Sequence, residues 1–384
     1  MNNFDVLIIG GGMVGQAFAL SIAHTNLKIA IIEPNNPNPK LQDDFHTRVS
    51  AITPKSEKLL KDIGAWDNIQ RKKAFINTSV WDQNSHGNLD FDTSNEEINH
   101  LGHIIENDAI QGALFSSLGA TEVEFIKSKL NAISKTDDGY RVDLDNGKNI
   151  DCKLLIGADG ARSRIRELAG IDYSENNYEQ KAIVCNIHSN NGFEDTTWQR
   201  FLSDSIIALL PLTEHTASIV WSAQNHLADE LMGLAPDEFS ERLSQGVEYR
   251  FGKFEVISEI QAFPLIERSS NEYTKENLAL IGDAAHNIHP LAGQGVNLGF
   301  GDVAELSTQI KTNIDNFSKV YTLRKYARAR RLDNELMAKT MTGLNWIYKE
   351  NSEPMRILRG FGMNIINETP VLKSFFQKHA LGNR

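Results

Sequence analysis

The chain has 384 residues, 41% of them hydrophobic and 23% charged, which is too long for one ordinary core and balanced as in folded globular proteins, so two domains are expected. A net charge of -11 argues against nucleic acid as a partner. Cys152 and Cys185 are too few for a disulfide framework or a thiolate metal cluster, which fits a reducing compartment. No apolar run reaches the roughly 18 residues that a spanning helix needs. The start of the chain, interrupted by Asp5 and without a basic leader, does not read as a secretory signal, so a cytoplasmic location is expected.

Phe4 to Ile9 reads as a short buried strand running into Gly10-Gly11-Gly12-Met13-Val14-Gly15, a G-x-G-x-x-G. Ala17, Phe18, Leu20, Ile22 and Ala23 suit a buried helix, and Lys28 to Ile32 a second strand that closes on Glu33. Such glycines allow a tight turn and close approach of a pyrophosphate, and an acid at the next strand end suits the ribose of an adenine dinucleotide. The alternative is a chance glycine-rich turn. Asn35 to Lys40 reads as a loop; Arg48-Val49-Ser50-Ala51-Ile52 and a helix over Pro54 to Ile63 follow. Arg48 could contact a phosphate or the edge of a flavin ring, or form a surface ion pair.

Residues 74 to 106 lack a strand–helix rhythm and hold strand-like pieces at Ser79 to Trp81, Leu89 to Phe91 and His103 to Ile105, an excursion into a second, sheet-based unit. Asn107 to Leu118 reads as helical. A strand at Val123 to Ile126 and a meander from Leu130 to Ile156 then lead to Gly157-Ala158-Asp159-Gly160 at the start of another helix. There Asp159 is either a helix cap or a ligand-facing acid. Strand-like runs at 182–186, 205–212, 217–221 and 256–265, with a helical insert at 235–243, form the main sheet body. Trp198, Phe201 and Trp221 are candidates for a pocket wall, against the commoner reading as core.

Leu278 to Ile281 reads as a buried strand ending at Gly282-Asp283, a carboxylate at the sheet edge where open α/β sheets bind ligands. Pro290, Gly293, Gln294 and Gly295 then lead into an apolar helical segment containing Val296, Asn297, Leu298 and Phe300. A helix N-terminus there favours a negative or electron-rich ligand. Gly299 and Gly301 should each cost that helix about 1 kcal/mol relative to Ala, so a planar ligand or a close-packed backbone is expected against them. Tyr321 to Arg331 is a strongly basic helix, and 332–348 and 355–381 read as apolar helices. The last stretch carries Arg356, Arg359, Lys373, Lys378 and Arg384 against Glu368, a pattern suited to a membrane surface, the core or a partner subunit.

In order, the three motifs resemble the FAD-dependent aromatic hydroxylases of the p-hydroxybenzoate hydroxylase fold. His289 to Gly299, with Asp302 after it, resembles the signature of the ubiquinone-biosynthesis hydroxylases within that group; Arg48-x-x-Ala51, Glu106-Asn107 and Tyr326-x-Arg328 to Asp333 match the same subfamily. The resemblance implies an α/β (α+β) architecture: a Rossmann-like FAD-binding domain over 1–73, 107–178 and 266–330, an interleaved β-sheet substrate domain over 74–106 and 179–265, and a C-terminal helical segment over 331–384. It implies that Gly10, Gly12, Met13, Val14, Gly15 and Glu33 hold the ADP half of FAD. Arg48 and Asn107 would touch the middle of the cofactor, and Asp159 and Gly160 would lie near both FAD and NAD(P)H. Gly282 and Asp283 would bind the ribitol, and Pro290, Gly293, Gln294, Gly295, Val296 and Asn297 would lie against the flavin ring. Of these, Pro290, Gly293, Gly295 and Asn297 form the catalytic loop, with no catalytic base assigned.

The implied reaction is hydroxylation of a polyprenylphenol ring in ubiquinone biosynthesis, using NAD(P)H and O2 through a flavin hydroperoxide, the flavin supplying the hard chemistry. No second dinucleotide fingerprint is present, so NAD(P)H is expected to bind transiently on the FAD domain. His286 and His289 lack a carboxylate–histidine pattern, and no metal is expected. A lipid-borne substrate would be met at a membrane surface or through other proteins of the pathway, with the basic tail as the contact; a homo-oligomer is compatible with this reading. Hydroxylation of a small soluble aromatic, reduction of a prenyl chain, and a flavin-stabilised subunit of a biosynthetic complex are the alternatives.

Overall fold

The computed structural model describes residues 2–35, 41–83, 87–93, 98–287, 295–349, 367 and 369, with side chains in the last helix described as far as 335. Its centre is an eight-stranded sheet in which the strand Asn2–Ile9 lies parallel between Ile29–Ile32 and Asn149–Gly157, and Asn149–Gly157 is parallel in turn to Leu278–Leu280. Their C-terminal parts, Val6–Ile9, Ile29–Ile32, Leu154–Gly157 and Leu278–Leu280, are apolar runs buried on both faces, as parallel strands covered by helices require. The helices Met13–Ile22, Asn107–Leu118 and Gly295–Thr312 pack here, with Phe18, Leu114, Phe300 and Leu306 in one continuous core. All four strands end on the same edge, so the glycine-rich turn after Ile9, the Gly157 turn and the Gly282 turn converge there. The backbone ties them: Ala158 N donates to Ile9 O and Ile281 N to Gly157 O.

A nine-stranded, mostly antiparallel sheet faces that edge. Its backbone is the long strand Tyr173–His188, flanked by Thr216–Gln224 and Gln261–Ser270. The strands Asn77–Asp82 and Asn88–Asp92 add to its far side. The strand Thr196–Phe201, which had no clear alternation, and the helix Asn225–Met232 were not legible in the sequence. The expected grouping of 74–106 in one sheet is divided. Gly102–Glu106 pairs with Val49–Ile52 and Lys73–Phe75 in a separate three-stranded sheet, because the chain returns after Asp92 to meet the strand that follows Arg48.

Register decides which face of the large sheet is which. Ile183 lies opposite Trp221, and Val184 opposite Val220. Side chains alternate along strands, so the first pair points one way and the second the other. The Ile183 face, with Trp198 and Trp221, packs on the helices Asn225–Met232 and Pro236–Gly246 through Leu231, Phe239 and Leu243. Trp198 and Trp221 are therefore core. Phe201 packs with Ile206 in a small cluster of its own. Of the helices expected beyond residue 331, the one over 332–348 continues Val320–Lys349, while the one over 355–381 lies outside the described residues. Among the described residues no helix is long and apolar enough to cross a membrane.

Candidate active site

The converging strand ends and the Val184 face of the large sheet enclose a cleft of about 420 Å³. On one wall lie Gly12, Met13, Val14, Gly160, Gly295 and Val296; on the other, Ala182, Val184, Val220, Phe263 and Leu265. Arg48, Asn107 and Asp283 supply side-chain polar groups between them.

The glycines divide by what a side chain would meet. Gly10 has φ +110°, and a Cβ there would stand 2.3 Å from Ala158 O; one on Gly15 would stand 2.0 Å from Gly10 O. These two make the turn and the close packing of helix on strand. Gly12, Gly160 and Gly295 have open space in the Cβ direction although all three line the cleft. At Gly12 and Gly295 the bareness keeps a surface clear rather than relieving a clash, while Gly160, at φ +80°, is also favoured by its backbone. Glu33 stands beside the turn, accepting from Gly11 N at 2.8 Å and from Asn35 N at 3.0 Å.

Asp283 lines the cleft with its side chain exposed to it and protein packed on the other sides. That crowding raises its pKa above the ordinary carboxylate value, against the pull of His286, an Asn287 hydrogen bond and Arg48. The Arg48 guanidinium spans the cleft mouth, 5.5 Å from the centre of the Phe263 ring. Asn107 accepts from Ser50 Oγ at 2.7 Å, so its amide is oriented before any ligand arrives.

Two expected residues also make structural contacts. Asp159 caps the helix Arg164–Leu168: Oδ2 accepts from Arg164 N at 2.6 Å and Ile165 N at 3.1 Å, and Oδ1 from Ser163 Oγ at 2.6 Å. Its carboxylate is therefore spent on the backbone, while the neighbouring Gly160 lines the cleft. Asn297 accepts from Thr53 N at 3.1 Å and donates to Ala51 O at 2.7 Å, tying the start of its helix to the strand after Arg48. Pro290, Gly293 and Gln294 lie outside the described residues.

Sequence reasoning missed the group that holds this wall in place. Asp302 is fully buried; its Oδ2 accepts from Gly282 N at 2.9 Å and lies 2.6 Å from His286 Nε2, and Oδ1 accepts from Arg330 Nε at 2.8 Å. Burial alone would raise the Asp302 pKa, but His286 and Arg330 outweigh it and hold the carboxyl below its ordinary value. Arg166, also buried, donates to Ala284 O at 3.0 Å and Ala161 O at 2.9 Å, joining the second motif to the third. Gly301 is required by Arg330, whose guanidinium would lie 2.7 Å from a Cβ. Gly299 is required by Val14, at the same distance. Close packing thus accounts for both helix glycines.

The model of a family described as FAD binding domain matches residues 3–340. The 3-demethoxyubiquinol 3-hydroxylase of Escherichia coli strain K12 is 33% identical over 98% of this chain and 98% of its own length. The mitochondrial ubiquinone biosynthesis monooxygenase COQ6 of Danio rerio is 34% identical over 96% of this chain and 88% of its own. The chain belongs to the FAD-dependent ubiquinone-biosynthesis hydroxylases. Among solved structures, p-nitrophenol 4-monooxygenase PnpA from Pseudomonas putida aligns at a TM-score of 0.80 and 18% identity over 100% of both chains. Pseudomonas aeruginosa PqsL in complex with 2-aminobenzoylacetate aligns at 0.79 and 19%, over 94% of this chain and 100% of its own. These two likenesses show the fold.

The residues of this hydroxylase fit the cofactor. The bare surfaces at Gly12, Gly160 and Gly295 form a cradle that a Cβ would fill, and the first helix opens on it without a side-chain cap, its N–H groups free for a diphosphate. Asp283 and Asn107 offer acceptors for hydroxyl groups further along.

Proposed function

We propose that this flavoprotein monooxygenase hydroxylates the aromatic ring of a polyprenylated phenol in ubiquinone biosynthesis, with NAD(P)H and O2 as co-substrates. The observation that carries the reading is the two-sided cleft: one wall bare at its glycines, the other apolar through Val184, Val220, Phe263 and Leu265, with Arg48, Asn107 and Asp283 supplying polar groups between them. Near full-length similarity to the two ubiquinone-pathway enzymes supports the same substrate class.

FAD, when bound, supplies the redox chemistry that activates oxygen. The chain's own residues bind and orient. The N–H groups at Met13 and Val14 would face the diphosphate, Asp283 would accept from a ribitol hydroxyl, and Asn107, fixed by Ser50, would contact the middle of the cofactor. The backbone at Gly295 and Val296 opens a helix of 18 residues, whose N-terminal dipole favours electron-rich groups beside it. The apolar wall would seat the ring and exclude water, and Arg48 stacked on Phe263 would narrow the mouth. We assign cofactor binding to 1–73, 107–178 and 266–330, and the substrate wall to the part of the large sheet within 74–106 and 179–265.

The basic tail from residue 354 onward is the proposed contact with a membrane surface, since the substrate is lipid-borne. Deleting residues 350–384 should leave flavin occupancy intact and weaken binding to anionic vesicles; unchanged binding refutes that role. The reaction is tested by anaerobic reduction of the yellow protein with NADPH, then air and a short-chain prenylphenol. Bleaching, reoxidation and a hydroxylated ring are expected. Reoxidation without hydroxylated product from any prenylphenol refutes the substrate assignment.

A further inference from the structure

Away from the cleft, three side chains from separate segments meet behind the flavin-facing wall. Glu57 comes from the helix Pro54–Asp62, His103 from the strand Gly102–Glu106, and His100 from the approach to that strand. One carboxylate oxygen, Glu57 Oε2, faces both rings: His100 Nε2 at 2.7 Å and His103 Nδ1 at 3.1 Å. The three ligand-type atoms lie within 4.8 Å of one another. We propose that Glu57, His100 and His103 form a binding site for a zinc-like divalent cation.

Geometry supports the assignment. The Glu57 side chain is 7% exposed and that of His103 13%. His103 Nδ1 lies 3.1 Å from Glu57 Oε2, off the direction a good hydrogen bond needs, so among the described residues this buried nitrogen has no well-directed partner. Leaving such an atom unpaired is costly, and a cation between the three groups removes that cost. Tetrahedral zinc holds nitrogen and oxygen at about 2.0–2.2 Å, which places neighbouring ligand atoms roughly 3.3 Å apart. The present separations of 2.7 and 3.1 Å would open by about 0.6 and 0.2 Å, and the two ring nitrogens lie within 4.8 Å of each other.

Supporting contacts are also present. Lys61 Nζ donates to the other oxygen, Glu57 Oε1, at 2.6 Å, fixing the carboxylate while leaving Oε2 to the cation. Trp66 meets the His103 ring edge-on at 5.0 Å and restrains its rotation. Two imidazoles and one carboxylate suit zinc or cobalt and disfavour magnesium and calcium, which prefer all-oxygen shells. Three protein ligands leave a fourth position for water.

The site would brace the cofactor wall without touching the cofactor. Glu57 lies one helical turn beyond Thr53, whose backbone holds Asn297, and His103 lies four residues before Asn107. A cation here would clamp the helix to the small sheet from which both cleft contacts emerge.

The test uses the FAD-loaded, full-length enzyme after treatment with a chelator. Cobalt(II) is titrated while the visible bands of tetrahedral cobalt are followed at wavelengths beyond flavin absorption, and zinc is then added as competitor. One equivalent of cobalt, displaced by zinc, is expected. His103→Ala and, separately, His100→Ala should abolish the stoichiometric band while retaining bound flavin. His100 is the more exposed ligand, at 25%, so its variant serves as the folded control should the other fail to fold. No saturable cobalt band in the folded wild type, or a band that persists at full strength in His100→Ala, overturns the assignment. Binding through the half-buried His188–His215 pair would give that second result.

Discussion

Val14 sits between two distant motifs, and Gly299→Ala tests what that contact requires. In an ordinary helix interior this change stabilises by about 1 kcal/mol. Here the new Cβ would stand 2.7 Å from Val14 Cγ2 and 3.4 Å from Gly282 Cα. Carbon atoms prefer roughly 3.5–4.0 Å, so Val14 would have to retreat by about 0.8 Å or more. It has little freedom to do so: a β-branched side chain in a helix keeps essentially one rotamer, and its other face already lies against Gly282. Overpacking of this kind costs about 1–3 kcal/mol, leaving a net loss of roughly 0–2 kcal/mol. Removing both methyl groups with Val14→Ala should reverse the sign, so that Gly299→Ala then stabilises by about 1 kcal/mol. The coupling between the two positions is therefore expected at roughly 1–3 kcal/mol, within the range seen for residues in contact. Urea unfolding of the wild type, both single variants and the double variant at one fixed FAD concentration measures it, because bound cofactor shifts apparent stability by mass action. Additive effects, with Gly299→Ala stabilising equally in both backgrounds, would refute the packing argument.

Gly12→Val should fold with near wild-type far-ultraviolet circular dichroism yet purify colourless, because its side chain enters the cleft rather than the protein; a yellow variant would remove Gly12 from the cofactor surface. Asp283→Ala removes an acceptor of hydrogen bonds worth about 1.5–3 kcal/mol each when charged, so flavin should leave roughly 10- to 100-fold more readily in dialysis followed by absorbance. Asp302→Asn leaves Arg330 buried against a neutral partner and should cost about 3 kcal/mol in denaturant unfolding, as breaking buried ion pairs does. The depressed Asp302 pKa adds a sign: its stabilising effect is present above the unfolded value of 3.8 and is lost as pH falls below it. The wild type should therefore lose stability there more steeply than Asp302→Asn; parallel acid profiles would show that the carboxylate does not set this limb. Asp159→Ser, which retains a capping oxygen, should keep both flavin and turnover, whereas Asp159→Ala should lose about 1 kcal/mol of stability; loss of NAD(P)H-dependent flavin reduction in the serine variant would show a role beyond the cap.

What could be read in advance was local. The strand before Gly10, the helix after Gly15 and the acid at Glu33 are consecutive in the chain, so their geometry follows from spacing alone. Asp283 was likewise recognisable as a carboxylate at a strand end. The Asp302–His286–Arg330 group was not, because nothing in the sequence says that a helix starting near 320 returns its arginine to the turn at 282. The tryptophans show a second limit. Composition marked Trp198 and Trp221 as large and apolar, but only register assigns them to the helix-covered face and Val184 and Val220 to the cleft. Asp159 was ambiguous for a third reason, since the same Asp beside glycine serves a ligand or a helix N-terminus equally well; its hydrogen bonds show the helix contact.

The order in which the parallel strands are made also bears on synthesis. Asn2–Ile9 leaves the ribosome early, and Ile29–Ile32 follows at once, but its other neighbour, Asn149–Gly157, comes much later, and the Gly282 turn and Gly299 that close on Val14 come later still. Roughly 270 residues separate the first glycine-rich turn from the wall that completes the cleft, which at about 5–20 residues per second is a wait on the order of 15–50 seconds. For about the first half of that interval, until Asn149–Gly157 is made, the apolar central strand has one edge without its native partner, and throughout it the nascent chain cannot yet enclose its cofactor. Yield of the flavin-loaded enzyme should therefore respond to chaperone supply and to translation speed over residues 30–280 more than to free flavin.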